Sequence, residues 1–158
     1  MKILIAYYSK SGSTEAIAKK LSAILQQNRH MVTVFKIRPM RELKAYDYGK
    51  NSHIELKQPL PDVSAYDLIL IGTPVWSFCP SPIVSSYLRQ LRRIKGKRVA
   101  LFASCMALPG TTIQRMSSIL STKGAVVAES LTIRSVFKID ETKLGEAEKF
   151  VQLLLSKQ

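Results

Sequence analysis

Five short apolar runs rich in β-branched residues alternate along the chain with segments of helical periodicity. This alternation limits the fold more than any other feature. The runs are "KILIAY" (2–7), "MVTVFKI" (31–37), "DLILIG" (67–72), "RVALFA" (98–103) and "VVAESLTI" (126–133). The first, third and fourth are almost continuously apolar, as strands buried on both faces must be. The second and fifth partly alternate, through Val32 and Val34 and then Leu131 and Ile133, which suits the edges of a sheet. Between the runs, Ile17, Leu21, Ile24 and Leu25 share one helical face, as do Ile83, Tyr87, Leu88 and Leu91. Ile113, Met116 and Leu120 repeat the pattern, and so do Leu144, Ala147, Val151, Leu154 and Leu155. Such a chain builds a parallel sheet covered on both faces by helices, an α/β three-layer sandwich. Its 158 residues fit one domain, 1–158, without repeats or a dividing linker.

Local signals mark two helix starts. Ser81 before Pro82 reads as an N-cap followed by proline at the first helical position. Thr111 with Gln114 reads as a capping box. Residues 38–65 hold three prolines and little periodicity, so a short helix near 40–47 followed by irregular chain is expected there.

In sheets of this kind the ligand site lies beyond the carboxyl ends of the central strands. Three loops leave that edge: residues 8–14, 73–81 ("TPVWSFCPS") and 104–111 ("SCMALPGT"). The first contains Ser9, Lys10, Ser11, Gly12, Ser13 and Thr14 directly ahead of a helix. Unpaired N–H groups and the helix dipole attract an anion at such a place, hydroxyls add donors, and Gly12 allows a tight turn. The group that fits is a phosphate. Neither G-x-x-x-x-G-K nor G-x-G-x-x-G is present, which disfavours a triphosphate or pyrophosphate. The plainer alternative, in which Ser13 or Thr14 merely caps the helix, stays open. The second loop places Trp76, the chain's one tryptophan, and Phe78 just past a buried strand. An indole there stacks on a flat ligand or else folds back on the next helix.

The segments "SKSGST" and "YDLILIGTPVW", with the spacing between them, resemble the flavodoxin family of the short-chain type, along essentially the whole chain. The resemblance implies a five-stranded parallel sheet in the order 2-1-3-4-5 and non-covalent FMN. It implies that Ser9, Lys10, Ser11, Gly12, Ser13 and Thr14 hold the FMN phosphate. Thr73, Pro74, Val75 and Trp76 would line the isoalloxazine, with Trp76 stacking and the backbone from Pro74 to Ser77 near its N5 edge. Ser104, Cys105 and Met106 would meet its pyrimidine edge through backbone groups. The implied role is electron transfer between a reductase and an acceptor. An NAD(P)H-dependent FMN oxidoreductase resembling quinone reductases, and a binding module of the same fold without cofactor, remain as alternatives; no residue offers itself as a dedicated acid or base.

The chain departs from the family in two respects. Residues 104–111 contain no second aromatic to cover the outer face of the ring, a place that Phe78, a nicotinamide, a substrate or a second subunit could fill. Nor is the flavin side acidic: segments 73–82 and 104–112 lack Asp and Glu, which implies a less negative second reduction potential than in acidic members. Lys and Arg number 24 against 11 Asp and Glu, a net charge of +13. The densest basic run, "RQLRRIKGKR" (89–98), falls at the edge opposite the proposed flavin. With no aromatic platform or known module beside it, nucleic acid is a poor partner, and acidic redox proteins are a better one. Cys79 and Cys105 show no metal or C-x-x-C spacing and read as reduced thiols, while His30 and His53 have no companion ligands for a metal. The run "ILIA" is too short for a signal core or a membrane span, and no later run approaches 18 residues, so a cytoplasmic protein is expected.

Overall fold

The computed structural model of the chain describes residues 1–43, 53–136 and 139–157. Its elements in order are β1 (Lys2–Tyr7), α1 (Ser13–Gln27), β2 (Met31–Lys36), β3 (Leu68–Trp76), β4 (Cys79–Pro80) and α2 (Pro82–Gln90). Then follow β5 (Arg98–Cys105), α3 (Thr112–Thr122), β6 (Val126–Arg134) and α4 (Glu141–Ser156). The sheet has the order β2-β1-β3-β5-β6, and every pairing along that path is parallel. With the two-residue β4 set aside, this is the expected order 2-1-3-4-5. The partly alternating runs do lie at the two edges.

The continuous apolar runs follow from burial on both faces. Along β1, Ile3, Ile5 and Tyr7 pack with Leu21 and Leu25 of α1 and Val151 of α4. Leu4 and Ala6 pack on the opposite face with Ile83 and Leu88 of α2 and Met116 of α3. Each fully buried Leu, Ile or Val contributes about 1.5–3 kcal/mol, so these two cores hold the layers together. The return segment before β3 seals the second core: Ile54 and Leu56 are buried, and the Ile54 N–H donates to the Ser86 hydroxyl at 2.8 Å.

Three local expectations need correction. First, β3 does not end at residue 72. It continues to Trp76, with Pro74 opposite Ser104 of β5, and then folds back through Val75–Pro80 and Trp76–Cys79 pairs. The residues at the hairpin tip, Ser77 and Phe78, both have positive φ, 50° and 63°. Such turns favour Asn-Gly or Asp-Gly, and neither dipeptide is present to announce this one. Second, Ser81 caps α2 as expected, accepting from the Val84 N–H at 3.2 Å, but Thr111 forms no capping bond for α3. The hairpin tip takes it instead: the Thr111 N–H donates to the Phe78 carbonyl at 3.0 Å. Its hydroxyl accepts from Arg115 Nε at 2.9 Å. Third, residues 40–43 are not helical; the remainder of the helix expected near 40–47 lies outside the described residues.

Candidate functional site

Gly12 is the N-cap of α1, with φ of 96°, a conformation that costs glycine little and other residues much more. Its N–H donates to the Ser9 hydroxyl at 3.1 Å, closing the turn out of β1. No side chain caps the helix, so neither Ser13 nor Thr14 plays the plainer role left open above. Thr14 is buried and shares a 2.8 Å hydrogen bond with the buried Ser104 hydroxyl, which pins the first turn of α1 to the end of β5. The uncapped helix start is thereby held at the carboxyl edge of the sheet, its dipole presenting partial positive charge.

Ser11 and Ser13 line a cleft of about 110 Å³ at this edge. Pro74, Val75 and Trp76 form another wall, and Ser104, Cys105 and Met106 a third. Eight of the residues singled out in the sequence thus converge on one place. The others support it from behind. Thr73 is fully buried; its hydroxyl donates to the Pro74 carbonyl and accepts from the Ser81 N–H, closing the hairpin base. Ser9, Gly12 and Thr14 shape the loop as described, and Ser77 sits exposed in the hairpin turn. Lys10 places its ammonium 5.7 Å from the centre of the Trp76 ring. Trp76 itself is half-buried, edge-on to Tyr8 at 5.6 Å, and packs partly on the α2–α3 core while presenting a wall to the cleft. Phe78 is not among the cleft-lining residues; the exposed Met106 is.

Sequence reasoning missed Ser135 and Ile139, which also line the cleft. They follow β6, whose carboxyl end opens on the same edge as β1, β3 and β5, and this parallel order was the signal available. The Ser135 N–H donates to the Cys105 carbonyl at 2.8 Å, and its hydroxyl accepts from Lys143 at 3.3 Å. Lys143 thus adds a cation just behind the cleft, and none of the described residues lining it is acidic. Glu15, in the first turn of α1, is the nearby carboxylate of that turn. Lys36 at 2.6 Å and Lys19 at 2.9 Å clamp it. Their hydrogen bonds hold its pKa down to about 2, so it stays ionised and neutralised by its neighbours. Burial raises the Tyr7 phenol, and the Glu15 carboxylate adds to the effect. Burial also raises the Cys105 thiol, against a smaller opposing pull from Arg134. Cys79 and Cys105 are both free and face different cavities, Cys79 the groove between α2 and α3 and Cys105 the cleft.

A doubly wound sheet with a cleft at its carboxyl edge, walled by an indole and headed by an uncapped helix, defines a flavodoxin-like α/β protein. The family model described as Flavodoxin matches residues 2–133, and the chain belongs to the flavodoxin family. It is similar to oxidised Flavodoxin 2 from Bacillus cereus, at 25% identity and TM-score 0.75, covering 100% of both chains. Oxidised Flavodoxin 1 from the same organism matches at 18% identity and TM-score 0.70, over 100% of this chain and 99% of that one. A flavoprotein in complex with FMN from Lactobacillus acidophilus matches at 22% identity and TM-score 0.69, over 95% of this chain and 98% of that one. No curated protein sequence matches. Among the described residues no helix is long and apolar enough to cross a membrane.

Proposed function

We propose that this flavodoxin binds FMN in the cleft and carries electrons between a reductase and an acceptor protein. The observation that carries this reading is the uncapped start of α1 opening on the same cleft that Trp76 walls. The donor set suits a phosphate monoester: backbone N–H groups of the first turn, the Ser11 and Ser13 hydroxyls, and the ammonium of Lys10 near the mouth. Trp76 offers a planar face for the isoalloxazine, and the chain from Ser104 to Met106 offers backbone groups for its polar edge. Bound FMN supplies one- and two-electron chemistry; the chain orients it and sets its electrostatic surroundings. With no carboxylate among the described residues lining the cleft and Lys143 behind it, the fully reduced, anionic flavin is repelled less than in an acidic site. Two free thiols accord with a reducing compartment, and we take the cytoplasm as the place of action.

Titration of the flavin-free protein tests this reading. FMN is expected to bind one to one, quenching both its own fluorescence and that of Trp76. Riboflavin, lacking the phosphate, is expected to bind at least 100-fold more weakly. Failure of FMN to bind, or equal affinity for riboflavin, would refute it. A second reading, an NAD(P)H-dependent FMN oxidoreductase, is favoured by one feature: among the described residues Trp76 is the one aromatic lining the cleft, and Cys105 and the exposed Met106 form another wall. Oxidation of NAD(P)H by the FMN-loaded chain with a quinone, in the absence of any reductase, selects this reading over the carrier.

A further inference from the structure

Residues 68–128, from β3 into β6, contain no Asp or Glu, yet they carry eight of the chain's 24 Lys and Arg. The carboxylates lie elsewhere, among them Glu15 on α1 and Glu141, Glu146 and Glu148 on α4. Helices α2 and α3 therefore carry cations and no carboxylate, whereas α4 carries three; the return segment that packs on the same face as α2 brings Glu55 and Asp62. Several of the cations serve the fold. Lys123 donates to the Arg89 and Leu91 carbonyls at the end of α2, Lys97 to the Ser64 and Tyr66 carbonyls, and Arg93 pairs with Asp62 at 3.1 Å.

Between α2 and α3 runs a groove of about 540 Å³, much larger than the cleft. Buried Pro80 and Pro82 are among its lining residues, and its exposed rim carries Arg89 from α2 and Gln114, Arg115 and Ser118 from α3. Prolines give an apolar surface without N–H donors, whereas the rim presents guanidinium, amide and hydroxyl donors. Guanidinium groups pair with carboxylates through two parallel bonds, and a cationic rim also speeds the arrival of an acidic partner. A rim so exposed suits a segment of another protein better than a small enclosed metabolite. One end of the groove is formed by Cys79 and Thr111. Cys79 is the cross-strand neighbour of Trp76, so this end is the back of the hairpin that walls the cleft.

We propose that the groove between α2 and α3 docks an acidic segment of the protein with which this flavodoxin exchanges electrons. The proposal rests on the carrier reading above. A partner held there touches the reverse side of the Trp76 hairpin and is thereby placed beside the cleft. The cationic edge at 92–98, remote from the cleft, is not the docking surface.

The test uses the full chain and a fluorescein-labelled peptide of about twelve alternating Glu and Leu residues. Charge reversal in the groove (R89E/R115E) is compared with an equal reversal on other surfaces (K2E/K149E). The groove variant is expected to lose at least tenfold in peptide affinity and the control less than threefold. Amide resonance shifts on peptide addition are expected at Cys79, Ser85, Ser118 and Ile119. Equal losses in the two variants, shifts confined to 92–98, or no binding by the unaltered chain would overturn the proposal. FMN titration of both variants is expected to match the unaltered chain within threefold. An unaltered chain that takes the peptide in the groove but no FMN would overturn the electron-exchange reading, while the groove would stand as a site for acidic peptide.

Discussion

The hairpin that carries Trp76 is clamped from outside by Gly110 and Thr111, and replacing Gly110 by Ala measures that clamp. Gly110 has φ of +57°, and a Cβ there would lie 2.3 Å from Phe78 Cβ and 2.4 Å from the Phe78 carbonyl oxygen. The substitution costs about 1 kcal/mol for the left-handed conformation alone. The collision is with backbone, which cannot rotate aside, so overpacking adds about 1–3 kcal/mol. The escape is for the tip to lift off, which gives up the Thr111–Phe78 backbone bond, worth roughly 1 kcal/mol. Gly96→Ala is the internal control, because Gly96 also has positive φ, +72°, but no atom lies within 4 Å of its Cβ position. In urea unfolding followed by far-UV circular dichroism, Gly110→Ala is expected to lose about 3 kcal/mol and Gly96→Ala about 1 kcal/mol. Titrated with FMN, the first variant is expected to bind at least tenfold more weakly and the second as the unaltered chain does. Equal stability losses would show that the close approach to Phe78 is not a constraint. Unchanged FMN affinity in Gly110→Ala would show that the hairpin does not depend on the clamp.

Four further outcomes can be checked. Glu15→Gln removes a carboxylate whose folded pKa, about 2, lies below its ordinary value; its contribution is full above that ordinary value and lost as pH falls through about 2. After solvent screening it amounts to about 1 kcal/mol, so urea midpoints of the two proteins should differ at pH 7 and converge near pH 2. Ser81→Ala strips the buried cap of α2 and should cost about 1–2 kcal/mol by denaturant titration, whereas Thr111→Ala should not disturb α3 through loss of a cap. Thr14→Val leaves the Ser104 hydroxyl buried and unpaired, at a cost of about 1–3 kcal/mol, and adding Ser104→Ala should recover part of it in a double-mutant cycle. The Tyr87 hydroxyl is buried with no hydrogen-bond partner among the described residues, so Tyr87→Phe should be neutral or stabilising by up to about 1 kcal/mol in thermal unfolding.

What the sequence revealed depended on how local each signal was. Burial on both faces writes itself into runs such as "LILIG", so the layered fold and the edge positions of β2 and β6 could be read directly. The cleft walls were legible because parallel strands deliver their carboxyl-end loops to one edge. Ser135 and Ile139 obey the same rule and were passed over only because no motif marks them. The hairpin was not legible: Ser77 and Phe78 adopt positive φ without glycine or asparagine, under tertiary restraint from Gly110 and Thr111 more than thirty positions away. The same restraint explains the failed capping box. A capping motif is a local preference, and here Thr111 is held by the distant Phe78 carbonyl while its hydroxyl accepts from Arg115 rather than from an N–H of α3. Thr14 shows the converse case, a loop hydroxyl whose partner, Ser104, no local pattern could supply.

The pairing of β1 has a consequence for biosynthesis. Ile3 lies beside Leu68, and Leu68 in turn beside Arg98, so each inner neighbour in the sheet is supplied by a much later part of the chain. A nascent polypeptide emerging from the ribosome must carry the oily segment Ile3–Ala6 unshielded until translation has passed β3, because α1 alone can cover only one side of it. Folding speed in such topologies is limited by loop closure, and the waiting strand is open to mispairing with other chains. Slow decoding between α1 and β3 should therefore lower soluble yield, and a chaperone that grips extended apolar peptide should restore it.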